Sequence, residues 1–253
     1  MRKYLLLLVS VSCFAQFNPA QFYSSSSFIK LSKSLVGYYK LDNNADDALS
    51  VNNGTNIGGV FTTGKINDGC NFNATNRVIN VNDTDSFSFV SGSSDLKMSI
   101  NVWCKFDSVS GVNTIVTKRD SGTQGEWIFA YNSTFLTILL CIPTAASFIR
   151  ANYTFTPTTG QWYMFTATYD GSKLSSGIKL YVNGALVSST NSTTGSYTGM
   201  SNTTSKLLIG NSYLNNEQFK GTIDEVGIWK NRVLTPSDIN KLYNSNSGLS
   251  YPF

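Results

Sequence analysis

The stretch that decides the fold is Phe219–Asn244, "FKGTIDEVGIWKNRVLTPSDINKLYN". Ile223, Val226, Ile228 and Trp229 read as a strand, and strand side chains alternate between the two faces of a sheet. By that alternation Asp224 shares a face with Val226 and Ile228. A carboxylate on an apolar face needs a partner, because burying it unpaired is costly. Downstream, Thr235 is placed to cap a helix, Pro236 suits its first position and Asp238 its third. Ile239, Leu242 and Tyr243 then fall on one side, as in a short helix packed on a sheet.

Working outward, the same alternation recurs upstream. "RVINV", "SINVWCKF", "EWIFAY", "TFLTILLC", "WYMFTATY" and "IKLYV" are strand-like segments separated by Gly, Asn, Asp and Ser. In "LYVNGALV" the Asn183-Gly184 pair between two such runs predicts a tight hairpin. Many short strands with regularly spaced turns predict an all-β sandwich or barrel. The chain's 253 residues suffice for one large β domain with a full core.

Composition narrows the function. Charged residues make up 13%, about half the usual share, and the net charge is +4 without a basic run. Nucleic-acid binding is therefore not expected. The chain has no histidine. That excludes Ser-His-Asp and Cys-His catalysis and His-ligated zinc. None of Cys13, Cys70, Cys104 and Cys141 stands at C-x-x-C spacing. They read as small buried hydrophobes, with a disulfide such as Cys70–Cys104 as the alternative. Residues 1–15, with Arg2, Lys3 and the run "YLLLLVSVSCF", read as an export signal ending at Ala15, or as an uncleaved apolar leader. The run is too short to span a bilayer, so no stable membrane span is expected after cleavage. Residues 16–34 form a polar leader and 35–253 the folded domain.

Several segments resemble the laminin G-like jelly-roll modules of the concanavalin A-like lectin/glucanase superfamily. "LVGYYKLDNNADDALSVNNGT" is similar to the family's opening strand and acidic loop. "TGKINDGCNFNATNRVINV" is similar to its G-K segment, and "MSINVWCKF" and "TTGQWYMFTATYDG" to its Trp-bearing strands. "KLYVNGALV" resembles its hairpin and Phe219–Asn244 its terminal signature. The opening loop departs from the family's Ser-Ser-Gly-Asn-Gly, carrying "DDALSVNNGT" instead. The ending "LYNSNSGLSYPF" also resembles such modules in phage structural proteins.

The resemblance implies a two-sheet antiparallel jelly-roll sandwich with one short C-terminal helix. It brings the opening and last long strands together, so that Asp46 or Asp47 would approach Asp224. Asp46, Asp47, Asn52, Thr55 and Asp224 then form a candidate set for structural Ca2+, which takes six to eight oxygen ligands. The alternative is that Asp224 accepts backbone N–H bonds from that loop without a metal. Trp103 and Trp162 match framework positions. Trp127, Phe129 and Tyr131 share a face of "EWIFAY", which is either an inner face or a platform for sugar rings. Trp127, Tyr131, Tyr213 and Trp229 are accordingly the candidate ligand-binding residues.

Glycoside hydrolysis needs two carboxyls flanking the scissile bond. Asp224 and Glu225, adjacent on a strand, are expected to point to opposite faces. The chain is thus expected to be a non-enzyme: a secreted or surface-displayed module binding a glycan or cell-surface polysaccharide. The alternative is a virion structural or decoration protein at the virion surface, contacting other virion proteins. A glycoside hydrolase is disfavoured.

Overall fold

The computed structural model describes residues 31–119, 121–122, 125–143, 146–214 and 217–253. The export-signal reading, Cys13 and nearly all of the polar leader lie outside them. The chain forms two large antiparallel sheets, as the resemblance implied. The first runs in the order β15-β14-β13-β8-β18-β4-β3, with β15 at Ala185–Leu186, β14 at Ile178–Val182 and β3 at Val60–Thr63, and with β1 also pairing β18. Its central strands are β8 (Met98–Phe106), β13 (Trp162–Tyr169) and β18 (Gly221–Lys230), flanked by β1 (Leu35–Tyr39) and β4 (Asp68–Asn71). The second runs β16-β12-β11-β10-β9-β17-β5-β2, with β17 at Leu207–Ile209, β5 at Val78–Val81 and β2 at Gly54–Ile57. Here β9 is Val112–Arg119, β10 Gly125–Asn132, β11 Phe135–Cys141, β12 Phe148–Thr154 and β16 Thr190–Thr194.

The main core lies between the sheets. Ile100, Val102, Cys104 and Phe106 of β8 face Trp127, Phe129 and Tyr131 of β10 and Leu136, Ile138 and Leu140 of β11. A second apolar cluster covers the outer face of the first sheet, where Tyr38, Trp103, Met164 and Trp229 meet Leu234, Ile239 and Leu242. The last two belong to the short helix α1 (Pro236–Tyr243), with Tyr243 stacked on Trp103 at 5.8 Å between centroids. Strands β8 and β18 are consequently buried on both faces, including the polar Ser99, Asn101, Thr222, Asp224 and Glu225.

The punctuation expected from sequence is present. Thr235 Oγ1 accepts from Asp238 N at 3.2 Å while Asp238 Oδ2 accepts from Thr235 N at 3.1 Å, a reciprocal cap with Pro236 just inside. Asn183 and Gly184 turn the β14–β15 hairpin (Ile178–Val182 and Ala185–Leu186) with φ of 50° and 84°. Cys70 and Cys104 both lie opposite Ile223, on strands that flank β18 from either side. They are therefore two strand spacings apart, beyond disulfide reach. Both are free and buried, as is Cys141. Among the described residues no helix is long and apolar enough to cross a membrane.

Candidate functional site

Strand β18 does not alternate through its acidic pair. Ile223 pairs with Cys104 and Asp224 with Trp103, but the register then slips, so that Gly227 pairs with Asn101. Glu225 adopts φ of 53°, a left-handed conformation that few non-glycine residues take. This β-bulge inserts one residue. Ile223 and Val226, three positions apart, therefore both point into the core between the sheets. Asp224 and Glu225 both fall on the opposite side, among Tyr38 and Trp103. Two sequence expectations are corrected here. Asp224 does not share a face with Val226 and Ile228, and the two acids do not diverge across the sheet.

The partners of Asp224 are backbone amides. Its Oδ2 accepts from Lys65 N at 2.7 Å and Ile66 N at 3.0 Å. The contact is with the turn of the G-K segment, not with the Asp46–Thr55 loop. Glu225 Oε2 accepts from the Tyr38 hydroxyl. Asp224 Oδ1 and Glu225 Oε1 are buried without a partner. Burial first, then the neighbouring Glu225 charge, pushes the Asp224 carboxyl up to about 8. Burial pushes Glu225 up to about 7, partly offset by the Tyr38 hydroxyl.

The remaining members of the expected calcium set are engaged elsewhere. Asp47 is buried, and its carboxylate accepts from the backbone N–H groups of Tyr38 (2.9 Å), Leu49 (3.1 Å) and Asn52 (3.0 Å). It is the cap that closes the opening loop onto β1. Asn52 donates its side-chain amide to Val36 O at 3.0 Å. Asp46 is exposed, and Thr55 pairs with Asn80 in the ladder of β2 (Gly54–Ile57) and β5 (Val78–Val81). Strand β1 does pair with β18, which is the adjacency the resemblance implied. Yet the five residues do not converge. Among the described residues no group of three or more His, Cys, Asp or Glu is arranged to hold a metal. The donor set does not fit calcium, because its carboxylates are not gathered at one point, and Asp47 and Asp224 Oδ2 serve five backbone amides between them.

The expected aromatic platform is also corrected. Trp127, Tyr131 and Trp229 are each 0% exposed. Trp127 Nε1 donates to Phe87 O at 3.0 Å inside the core, and Trp229 Nε1 donates to Leu31 O at 2.7 Å. Tyr213 is half-buried, with the Arg119 guanidinium 4.8 Å from its ring and an Arg119 amino group donating to its hydroxyl at 3.0 Å. The three buried rings offer no face to a ligand, and the Arg119 guanidinium covers one face of Tyr213.

The residues between those aromatics do form a surface. When Trp127, Phe129 and Tyr131 point inward, Ile128, Ala130 and Asn132 must point outward. The pairing registers assemble three cross-strand rows on this outer face. Arg150, Leu139 and Ile128 form the first, Asn152, Thr137 and Ala130 the second, and Thr154, Phe135, Asn132 and Val112 the third. Together with Glu217 these rows, Thr154 excepted, line an open groove of about 310 Å³. Ile128, Leu139 and Phe135 supply apolar floor. Thr137 Oγ1 donates to Asn152 Oδ1 at 2.7 Å, which fixes the amide and leaves its nitrogen without an acceptor among the described residues. Glu217 is the one carboxylate among the lining residues. A glycosidase pair has no second member there.

The fold recurs in solved binding domains. The binding domain of Paraclostridial Mosquitocidal Protein 1 superposes with a TM-score of 0.64 at 18% identity, over 85% of this chain and 53% of that one. Domain 4 of AbnA, an extracellular arabinanase from Geobacillus stearothermophilus solved with arabinotriose, gives 0.57 at 19% identity, over 82% and 97%. The botulinum neurotoxin serotype D binding domain gives 0.62 at 16% identity, over 87% and 53%. The chain thus spans about half the length of the toxin domains it matches. At these identities the likeness is one of fold. No curated protein matches the sequence. A laminin G-like family model matches residues 73–240, and with the two-sheet sandwich it shows that the chain belongs to the concanavalin A-like lectin/glucanases superfamily.

Proposed function

We propose that the chain is a non-catalytic glycan-binding module and that the groove on the outer face of the second sheet is its site. The carrying observation is the groove itself. An apolar floor of Ile128, Leu139 and Phe135 lies beside the polar groups of Asn132, Thr137 and Asn152. A sugar ring presents the same combination, apolar C–H faces bordered by hydroxyls. The solved domain bound to arabinotriose supports the reading, as does a similar structure of botulinum neurotoxin type C, whose cell entry depends on interaction with two ganglioside molecules. The basic-apolar amino terminus supports export or surface display. Weak individual sites of this open kind gain from repeated display.

The test is a glycan array with multimerised protein, followed by titration of the hits against Phe135→Ala and Asn152→Ala. Each variant is expected to weaken binding about tenfold, on the scale of one contact worth about 1.4 kcal/mol, without lowering the melting temperature by more than a few degrees. Hits that bind both variants normally would place the site elsewhere. A blank array combined with incorporation of the chain into virions would favour a structural jelly roll.

A further inference from the structure

The groove holds an unpaired cation at one end and an anion at the other. Arg150 stands on β12 in the first row of the groove. Its Nε donates to Ser192 Oγ on the neighbouring β16 at 3.1 Å, and its guanidinium carbon lies 5.5 Å from the Phe148 ring centroid. These contacts hold the group from its stem side. The ion pairs among the described residues join Lys118 to Asp83 and Glu126, and Arg232 to Asp238, leaving Arg150 out. The two terminal amino groups of Arg150 have no acceptor among the described residues. A guanidinium keeps its charge at any pH the protein meets, so this edge is a standing double donor.

Glu217 lies across the groove. Its backbone carbonyl accepts from Thr114 N on β9 at 2.9 Å, whereas Arg150 is on β12. Strands β12, β11, β10 and β9 are consecutive neighbours. Glu217 sits beyond β9, on the side away from β10, so at ~4.8 Å per strand the backbones that carry the two charges are four spacings, about 19 Å, apart. The charges do not neutralise each other, and a ligand spanning the strands meets a cation first and a carboxylate last.

We propose that the groove reads an oligosaccharide carrying one oxyanion, a carboxylate or sulfate, seated on Arg150; this rests on the glycan-binding reading above. With Nε committed to Ser192, the free edge presents two parallel N–H donors. That edge matches two oxygens of one anion, and such charge-assisted pairs are roughly twice as strong as neutral hydrogen bonds. Hydroxyls of a neutral sugar satisfy it less well. At the far flank Glu217 accepts from hydroxyls and repels a second anion. The fitting ligand is therefore neutral at one end and anionic at the other, not a uniform polyanion.

The probe is a short oligosaccharide with a single terminal hexuronate, compared with its carboxyl-reduced counterpart and a singly sulfated counterpart. Binding to the full chain is titrated calorimetrically, with backbone amide shifts followed for Phe135 and Asn152. The acidic form, the sulfated form or both are expected to bind at least tenfold more tightly than the neutral one. The preference should weaken as salt rises. Arg150→Met, which keeps the apolar stem, should erase it, and Arg150→Lys should restore only part, since a point charge lacks the fork. Which of the two anions retains the Arg150 dependence identifies the oxyanion. Equal binding of acidic and neutral forms, or a preference that survives in a folded Arg150→Met, overturns the inference while groove shifts at Phe135 and Asn152 leave the glycan reading standing. Absence of binding and of groove shifts with all three probes, and with the array hits, overturns both.

Discussion

Removing one carboxyl of the bulge pair is expected to stabilise the protein above neutral pH and to change little near pH 5. Asp224 and Glu225 are 0% and 1% exposed, and their carboxyls are raised to about 8 and about 7 from ordinary values of 3.8 and 4.5. Between the ordinary and the raised values the folded chain binds more protons than the unfolded chain. Stability must then fall as pH rises. The protonated pair contributes fully below about pH 4, and the contribution is lost as pH passes through 7 and 8. For Glu225 alone, the span from 4.5 to about 7 corresponds to about 3 kcal/mol at ~1.36 kcal/mol per pH unit. Asp224 is raised further, chiefly by its own burial, and adds to this, so about 3 kcal/mol is a lower bound for the pair. In a domain of this size that is roughly 6–12 °C of melting temperature. Asp224→Asn keeps an oxygen for the Lys65 and Ile66 amides and removes one charge. Urea melts at pH 5, 6.5 and 8 should show the variant losing about 3 kcal/mol across the range, from the Glu225 that remains, and the parent losing clearly more. Parallel pH profiles for the two proteins would refute the placement of both carboxyls on one side of β18.

Trp127→Ala should cost about 3–5 kcal/mol and unfold much of the protein at 37 °C, because Trp127 is core; a well-folded variant deficient only in glycan binding would reverse that assignment. Cys70, Cys104 and Cys141 should resist a thiol reagent at pH 8 until denaturant is added, since burial pushes Cys70 and Cys141 up to about 12 and Cys104 up as well. Rapid labelling of any of the three in the native state would contradict their burial. Millimolar calcium or a chelator should leave the melting temperature within about 1 °C, because a ligand binding only the folded state would raise it; a clear rise abolished by Asp224→Asn would restore the metal.

The fold was legible because it depends on repeated local signals. Period-two runs, Asn183-Gly184 and the Thr235-Pro236-Asp238 start are written in neighbouring residues, and each predicts its element without long-range information. The pairing of β1 with β18 came from the resemblance, and the registers bear it out. What the sequence could not settle was which face of a strand is inside. Strand β10 carries aromatics on one parity and Ile128, Ala130 and Asn132 on the other, and both parities contain apolar residues. The neighbouring strands break the tie. Thr137 on β11 and Arg150 and Asn152 on β12 stand on one parity and are polar, and the registers align them with Ile128 and Ala130. A parity choice made across three strands at once, instead of within "EWIFAY", would have found the groove.

The acidic pair failed for a different reason. Strict alternation holds only while the ladder keeps its register, and one inserted residue reverses every assignment downstream of it. Nothing in "TIDEVG" announces the insertion, since Glu225 is a poor residue for a left-handed conformation. The bulge is imposed from outside the strand. Ile223 and Val226 both have places in the inner core, while Trp229 must reach the outer cluster with Tyr38. Three residues cannot satisfy both demands without slipping. The slip leaves two carboxyls on one side, held by Lys65 and Ile66 amides and the Tyr38 hydroxyl. Packing therefore decides the backbone here, and the backbone sets the ionisation. The pH dependence expected of Asp224 and Glu225 is a consequence of where Ile223 and Val226 are buried.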